Sequence, residues 1–89
     1  MPTISNKKRE KISEQMLLYL YTIFPKLAYT SEIAAEVARD EEFAKTLLEE
    51  LEKKELVLAI KKNQQGKLFI RRIRWRLSNK AYQAYKERQ

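Results

Sequence analysis

The chain of 89 residues contains no cysteine and no histidine, and its only glycine is Gly66. The absence of cysteine excludes disulfide bonds and thiolate metal sites. The absence of histidine removes the usual general base and the commonest metal ligand. A single glycine also excludes the glycine-rich loops that cradle phosphates. The short acidic run 40–42 is explained by helix capping rather than by magnesium binding. We therefore expect a protein that is not an enzyme and that holds no metal and no cofactor.

Long apolar runs are also missing from the sequence. No segment approaches the ~20 consecutive apolar residues that span a bilayer. The N-terminus lacks the charged and then apolar layout of a signal peptide. We expect a cytoplasmic protein with no membrane partner. The length predicts one small domain at residues 7–89, preceded by a flexible N-terminal arm at residues 1–6.

Acidic residues are absent from one long stretch of the chain. Between Leu56 and Lys86 there is no Asp or Glu, although the stretch contains nine Lys or Arg residues. Residues 30–55, in contrast, contain nine acidic and four basic residues within a chain whose net charge is +7. Ordinary surfaces mix both signs of charge, so the acid-free stretch indicates a polyanionic partner. Nucleic acid is the first candidate.

Apolar residues at helical spacing predict four helices, and a β-prone segment precedes the last of them. The predicted helices run from Ser5 or Asn6 to about Phe24, from Thr30 or Ser31 to about Ala38, from Asp40 to about Lys54, and onwards from Ser78 or Asn79. The apolar runs 56–60 and 68–77 flank Gly66 and predict a β-hairpin. The order is therefore helix, helix, helix, hairpin, helix, and the fold class is α+β.

The hairpin is the strongest candidate site. Arg72, Arg74 and Arg76 alternate with apolar residues, which places them on one strand face about 6.6–7 Å apart, near the spacing of consecutive phosphates. Exposed basic residues can also discourage edge-to-edge aggregation, but this accounts for only two or three of the charges. Trp75 and Phe69 point the other way and are expected in the core. The remaining candidates at the hairpin are Lys61, Lys62, Asn63, Gln64, Gln65, Lys67 and Arg71.

The third helix and the start of the first are secondary candidates. Lys45 and Thr46 lie on the outward face of the third helix, together with Glu42 and Glu49, whose carboxylates are repelled by phosphates. Glutamate can accept a hydrogen bond from cytosine. However, three glutamates of this helix each have a lysine four residues later, and such pairs favour a mainly solvated face. The first helix begins with a second basic cluster formed by Lys7, Lys8, Arg9 and Lys11.

Four residues are candidates for a homodimer interface. Leu18 and Tyr21 lie off the main apolar stripe of the first helix, and Tyr82 and Tyr85 share one side of the last helix. Such faces can bury each other across a two-fold axis. Alternatively, these aromatic residues complete a small core.

Three segments carry a resemblance to a known family. Residues 30–34 (TSEIA), 47–57 (LLEELEKKELV) and 75–81 (WRLSNKA) resemble, in order and spacing, the winged helix-turn-helix domains of MarR-like and PadR-like regulators and of small archaeal DNA-binding proteins. The resemblance implies a recognition helix at residues 40–54 and a wing at residues 61–67. Glu55 stands where the family usually has a glycine.

The residues and the resemblance together favour a protein that binds double-stranded DNA, as a small transcriptional regulator or a chromatin-associated protein. Two alternatives stay open at this point. The chain could be a protein-interaction module of a larger assembly, or it could bind structured RNA through the same basic hairpin.

Overall fold

The computed structural model describes residues 6–61 and 73–88. Its elements are α1 (Asn6–Ile23), β1 (Ala28–Tyr29), α2 (Thr30–Glu36), α3 (Glu41–Lys53), β2 (Val57–Ile60), β3 (Arg74–Leu77) and α4 (Asn79–Glu87). The α+β class and the predicted order are confirmed, with one strand, β1, that the sequence patterns did not predict. Apart from Asn6 and Lys61, the residues of the predicted flexible N-terminal arm and of the predicted basic hairpin tip lie outside the described ranges.

The three strands form one antiparallel sheet in the order β1-β3-β2. Val57 pairs with Leu77 and Ile60 pairs with Arg74, so β2 and β3 are the arms of the predicted hairpin. On the other side of β3, Ala28 pairs with Trp75. The central strand therefore belongs to the basic part of the chain, and the helix-turn-helix segment is attached to it directly through β1.

The core lies between the helices and one face of this sheet. Met16 and Leu20 of α1, Leu48 of α3, and Trp75 and Leu77 of β3 are fully buried. Trp75 is thus in the core, as its position on the strand predicts. Within the described ranges, no helix is long and apolar enough to cross a membrane.

A buried hydroxyl joins α2 to the central strand. Thr30 is the first residue of α2 and is 8% exposed. The Trp75 indole N–H donates a hydrogen bond to Thr30 Oγ1 (2.8 Å), and both the backbone N–H and the hydroxyl of Thr30 point at the carbonyl oxygen of Ile73 (3.4 Å each). The indole ring is fully buried, and its N–H is its only polar group. The Thr30 hydroxyl is therefore the acceptor that satisfies this N–H.

Removing this hydroxyl should destabilise the fold. Thr30→Val preserves the shape of the side chain but leaves the buried indole N–H unsatisfied, which costs about 1–3 kcal/mol. We expect that loss in the free energy of urea-induced unfolding, followed by Trp75 fluorescence. Thr22→Val is the control, because the Thr22 hydroxyl is exposed and bonds only the carbonyl of Tyr19 one turn earlier. Equal stability of Thr30→Val and the wild type would show that the hydroxyl is dispensable.

Two helices end in a left-handed residue that is not glycine. Ala38 follows α2 with φ 55°, and Glu55 follows α3 with φ 62°. The N–H of Arg39 returns to the carbonyl of Ala34, and that of Leu56 returns to Leu51, which is the hydrogen-bond pattern of a Schellman helix end. Ala38, the predicted end of the second helix, lies in this left-handed turn and is exposed. Glu55, which stands where the winged-helix family usually has a glycine, therefore adopts a backbone conformation that favours glycine.

Glycine at position 55 should stabilise the protein. The left-handed conformation costs a residue with a Cβ about 1–2 kcal/mol. Glycine avoids this cost but loses more chain entropy on folding, worth about 0.5–1 kcal/mol. Glu55→Gly should therefore raise the free energy of unfolding by roughly 0.5–1 kcal/mol. The adjacent Lys54 has ordinary dihedral angles (φ −85°, ψ 3°), so Lys54→Gly should lose about 0.5–1 kcal/mol. Thermal unfolding of both variants measures the two opposite effects. A loss of stability in Glu55→Gly would contradict this account.

Candidate nucleic-acid interface

The outward face of α3 is mixed in charge and is partly satisfied by its own contacts. Glu42, Thr46 and Glu49 are exposed and Lys45 is half-buried. The Thr46 hydroxyl donates to the carbonyl of Glu42 (3.0 Å), one turn earlier in the same helix. Its proton is therefore already used within the helix. The carboxylates of Glu42 and Glu49 would resist a close approach to phosphates.

The basic cluster at the start of α1 is divided by an ion pair. Arg9 Nη2 donates to Glu50 Oε2 of α3, which joins the two helices. Lys7, Lys8 and Lys11 are exposed. Glu50 thus pairs with a residue distant in sequence and not with Lys54, its expected partner four residues away. Arg9 supports the packing of α1 on α3, and its charge is partly neutralised.

The described arms of the hairpin carry Lys61, Arg74 and Arg76. Lys61 is exposed directly after β2, whereas Arg74 and Arg76 are half-buried on β3, on the face opposite to the core residue Trp75. The predicted alternation of basic and apolar residues is therefore confirmed over β3. The other hairpin candidates lie outside the described residues: Lys62, Asn63, Gln64, Gln65, Lys67, Arg71 and Arg72.

Arg76 has close neighbours that the sequence did not reveal. Its Nη1 donates to the carbonyl of Leu77 (3.0 Å) and to Asn79 Oδ1 (3.4 Å). Its guanidinium lies 5.8 Å from the centroid of the Phe24 ring, within the range of a cation–π contact. The side chain is consequently held in one orientation by the turn into α4 and by the end of α1.

The sheet face that points away from the core is named the outer sheet face. It consists of side chains that alternate with buried ones along the strands, namely Tyr29 of β1, Leu58 and Ile60 of β2, and Arg74 and Arg76 of β3, with Leu27 just before β1. Sequence reasoning found the two arginines and missed Tyr29. A two-residue strand carries no alternating pattern, so only its pairing with β3 reveals which way Tyr29 points.

Three of the four candidate dimer residues contact one another within a single chain. The Tyr21 ring centroid lies 5.3 Å from that of Tyr82 and 5.7 Å from that of Tyr85, and Phe24 stacks on Tyr82 at 4.0 Å. Burial raises the pKa of the Tyr85 hydroxyl above its ordinary value. The fourth candidate, Leu18, is 50% exposed. The aromatic cluster fastens α4 to α1, as the alternative interpretation of these residues expected.

Metal ligands do not gather in the part of the chain that the structure describes. No group of three carboxylate, histidine or cysteine side chains comes together there in a way that could hold an ion. The acidic run at residues 40–42 instead lies at the start of α3, where Asp40 occupies the N-cap position and Glu41 and Glu42 lie in the first turn. There they are favourably placed against the positive end of the helix dipole.

Solved structures share this arrangement. MepR, a transcription regulator of the Staphylococcus aureus multidrug efflux pump MepA, matches 85% of the chain at 21% identity with a TM-score of 0.69. The S. aureus MepR–DNA complex matches 94% at 24% identity with a TM-score of 0.68. A variant of Lactococcus lactis ZitR matches 99% at 19% identity, also with a TM-score of 0.68.

The chain spans 52%, 56% and 63% of the lengths of the MepR, ZitR and MepR–DNA chains. No protein-family model matches the chain, and no curated protein matches it either. Because the identities are below 25%, the similarity shows the fold and not the activity. The expected winged helix-turn-helix fold is confirmed, with α2 and α3 as the helix-turn-helix and β2 and β3 as the base of the wing.

Proposed function

We propose that this chain binds double-stranded DNA as a winged-helix domain, in a small transcription regulator or a chromatin-associated protein that acts in the cytoplasm at the nucleoid. One observation carries the proposal. The paired strands β2 and β3 both lie within the acid-free stretch of the sequence, and most of the basic residues of that stretch lie between them in the chain. A wing rich in Lys and Arg supplies the phosphate contacts that give most of the affinity for a duplex.

The structural neighbours support the same function. MepR is a transcription regulator and forms a complex with DNA. This chain covers about half to two-thirds of the length of those proteins, so an effector site or an assembly elsewhere in them is not carried over. The proposal concerns binding by the winged-helix domain alone, and it assigns no catalytic step.

The wing should contribute more to affinity than the recognition helix. The described groups of α3 that could face a duplex include the carboxylates of Glu42 and Glu49, and the hydroxyl proton of Thr46 is bonded within the helix. Lys61 is exposed where β2 leads into the wing. Phosphate contacts position a protein without reading sequence, so we propose that the domain binds with weak sequence preference.

The salt dependence of duplex binding tests whether the wing contributes more to affinity than α3. With ~5 phosphates neutralised, the slope of log K against log salt is near −4.5, and it becomes shallower by about 0.9 for each phosphate that is no longer neutralised. Lys61→Ala combined with Lys62→Ala should therefore shift the slope to roughly −2.7. Fluorescence anisotropy with one labelled duplex at several salt concentrations gives the slopes.

Two double variants serve as comparisons for this experiment. Lys86→Ala with Arg88→Ala removes the same charge from the exposed end of α4 and should leave the slope unchanged. Lys45→Ala with Thr46→Ala should weaken binding less than the Lys61 and Lys62 pair. A larger loss from the α3 variant would show that α3 is the main contact. The absence of salt-dependent duplex binding by the wild type would overturn the proposed function.

We also propose that the chain forms a homodimer through α1 and α4. Leu18 is half exposed on α1, three residues before Tyr21, whose ring already packs against α4. A second copy could cover Leu18 and the outer edges of Tyr82 and Tyr85, which are half-buried in one chain. Two domains related by a two-fold axis would present two wings to one duplex.

Analytical ultracentrifugation tests the dimer. We expect a dissociation constant of about 0.1–1 µM, or roughly −8 to −10 kcal/mol, so the wild type should be dimeric at tens of micromolar. Leu18→Glu should shift it to monomer, because the new carboxylate would be buried without a partner. Ala35→Glu adds the same charge at an exposed position of α2 and should not. A wild type that is only monomeric at that concentration would contradict the dimer.

A further inference from the structure

We propose that the outer sheet face binds a single strand of nucleic acid, with bases resting on Tyr29 and Leu58 and phosphates held by Arg74 and Arg76. Tyr29 and Leu58 distinguish this site from the proposed duplex contacts, which share its Arg74 and Arg76. It concerns a different form of nucleic acid, and it can be tested whether or not the duplex is bound.

The first observation is the concentration of exposed apolar groups on this face. Of the four large hydrophobic side chains that are exposed among the described residues, three lie here: Leu27 (36%), Tyr29 (38%) and Leu58 (38%). The strand register makes two of them neighbours of the arginines. Tyr29 lies opposite Arg74, and Leu58 lies opposite Arg76. Apolar and cationic groups therefore alternate across the face, at the spacing of about 4.5–5.5 Å typical of directly paired residues.

The second observation is the sign of the charge. The three strands contain no acidic residue, and the two charged side chains that they place on this face are arginines. Lys26 and Lys61 are exposed just outside the strands. The carboxylate of Glu32 comes near, but it accepts the backbone N–H of Tyr29 (2.9 Å) and so belongs to the first turn of α2. The face is thus complementary to an anionic partner.

One arginine is already oriented for such a partner. Arg76 is held between Asn79 Oδ1, the carbonyl of Leu77 and the Phe24 ring. Arg74 and Arg76 are two residues apart on the strand, and their Cα atoms are therefore about 6.6–7 Å apart. A fixed guanidinium loses less conformational freedom when it binds a phosphate, which favours its use as an anchor.

The combination of groups favours a single strand over other anionic partners. A duplex hides the faces of its bases, so it would leave Tyr29 and Leu58 without an apolar contact. A single strand presents base faces and phosphates side by side, and such strands are bound by aromatic groups beside a basic surface. A stable protein interface covers about 800 Å² on each partner, and three side chains that are each about one-third exposed supply only a small part of that area.

Fluorescence anisotropy with three labelled probes tests the inference. The probes are an oligothymidylate of about 15 nucleotides, an abasic sugar–phosphate strand of the same length and a duplex of the same length. The length of about 15 nucleotides suits the site sizes of single-strand binders. Stacking of a base on an aromatic ring changes affinity by about 5- to 150-fold, so Tyr29→Ala should weaken oligothymidylate binding by that factor. Tyr29→Phe retains the ring and should bind within about twofold of the wild type. Duplex binding should be unchanged in both variants, and the abasic strand should bind the wild type more weakly than oligothymidylate.

A second variant makes the test independent of Tyr29, whose backbone also joins β1 to α2. Leu58→Glu places a carboxylate opposite Arg76 on an edge strand and should abolish oligothymidylate binding, while Trp75 fluorescence reports an intact core. Equal affinity of the wild type for the abasic strand and oligothymidylate would overturn the inference, because the bases would then contribute nothing. A parallel loss of duplex binding in Tyr29→Ala would overturn it as well, since the face would belong to the duplex site. If oligothymidylate does not bind, the inference fails, and a peptide with carboxylates and apolar side chains becomes the partner that fits this face.

Discussion

The hydrogen bond between the Trp75 indole and the Thr30 hydroxyl is the contact on which the arrangement of the two halves depends. It is buried, it is short (2.8 Å), and it joins residues 45 positions apart. Thr30 is the first residue of α2, and Trp75 lies on the central strand, so this bond ties the start of the helix-turn-helix to the sheet. β1 adds only a two-residue ladder beside it. A small core in a chain of 89 residues has few other ways to hold a short helix against a strand.

Charge is divided unevenly between the same two halves of the chain. The helix-turn-helix half contains nine acidic residues, and the sheet half is nearly free of them. The Arg9–Glu50 ion pair joins a basic helix start to this acidic half, so part of the acidic charge is used to pack α3 on α1. The strands themselves contain no acidic residue, and both of their arginines lie on the outer sheet face. This division of charge is the basis of the proposal that a polyanion approaches the sheet and wing rather than α3.

Much of the fold could be predicted from the sequence because helices and caps are local. The stripe of Ile12, Met16 and Leu20 recurs every four residues, and Ser78 precedes α4 and caps it through the N–H of Ala81. The alternation around Trp75 predicts correctly that the ring faces the core. The resemblance identifies Glu55 as the position of a family glycine, and its positive φ agrees with that assignment.

The sequence by itself determined the order of the helices, the hairpin and the uneven distribution of charge, since each of these depends on neighbours in the chain. Only the tertiary structure decided which side chains meet. It revealed β1, which is too short to show a pattern, and with it the outward position of Tyr29. It turned Tyr21, Tyr82 and Tyr85 towards one another, brought Phe24 to Arg76 and gave Glu50 a partner on another helix. These contacts depend on register and packing between residues distant in the chain, and a single sequence contains no local signal for them.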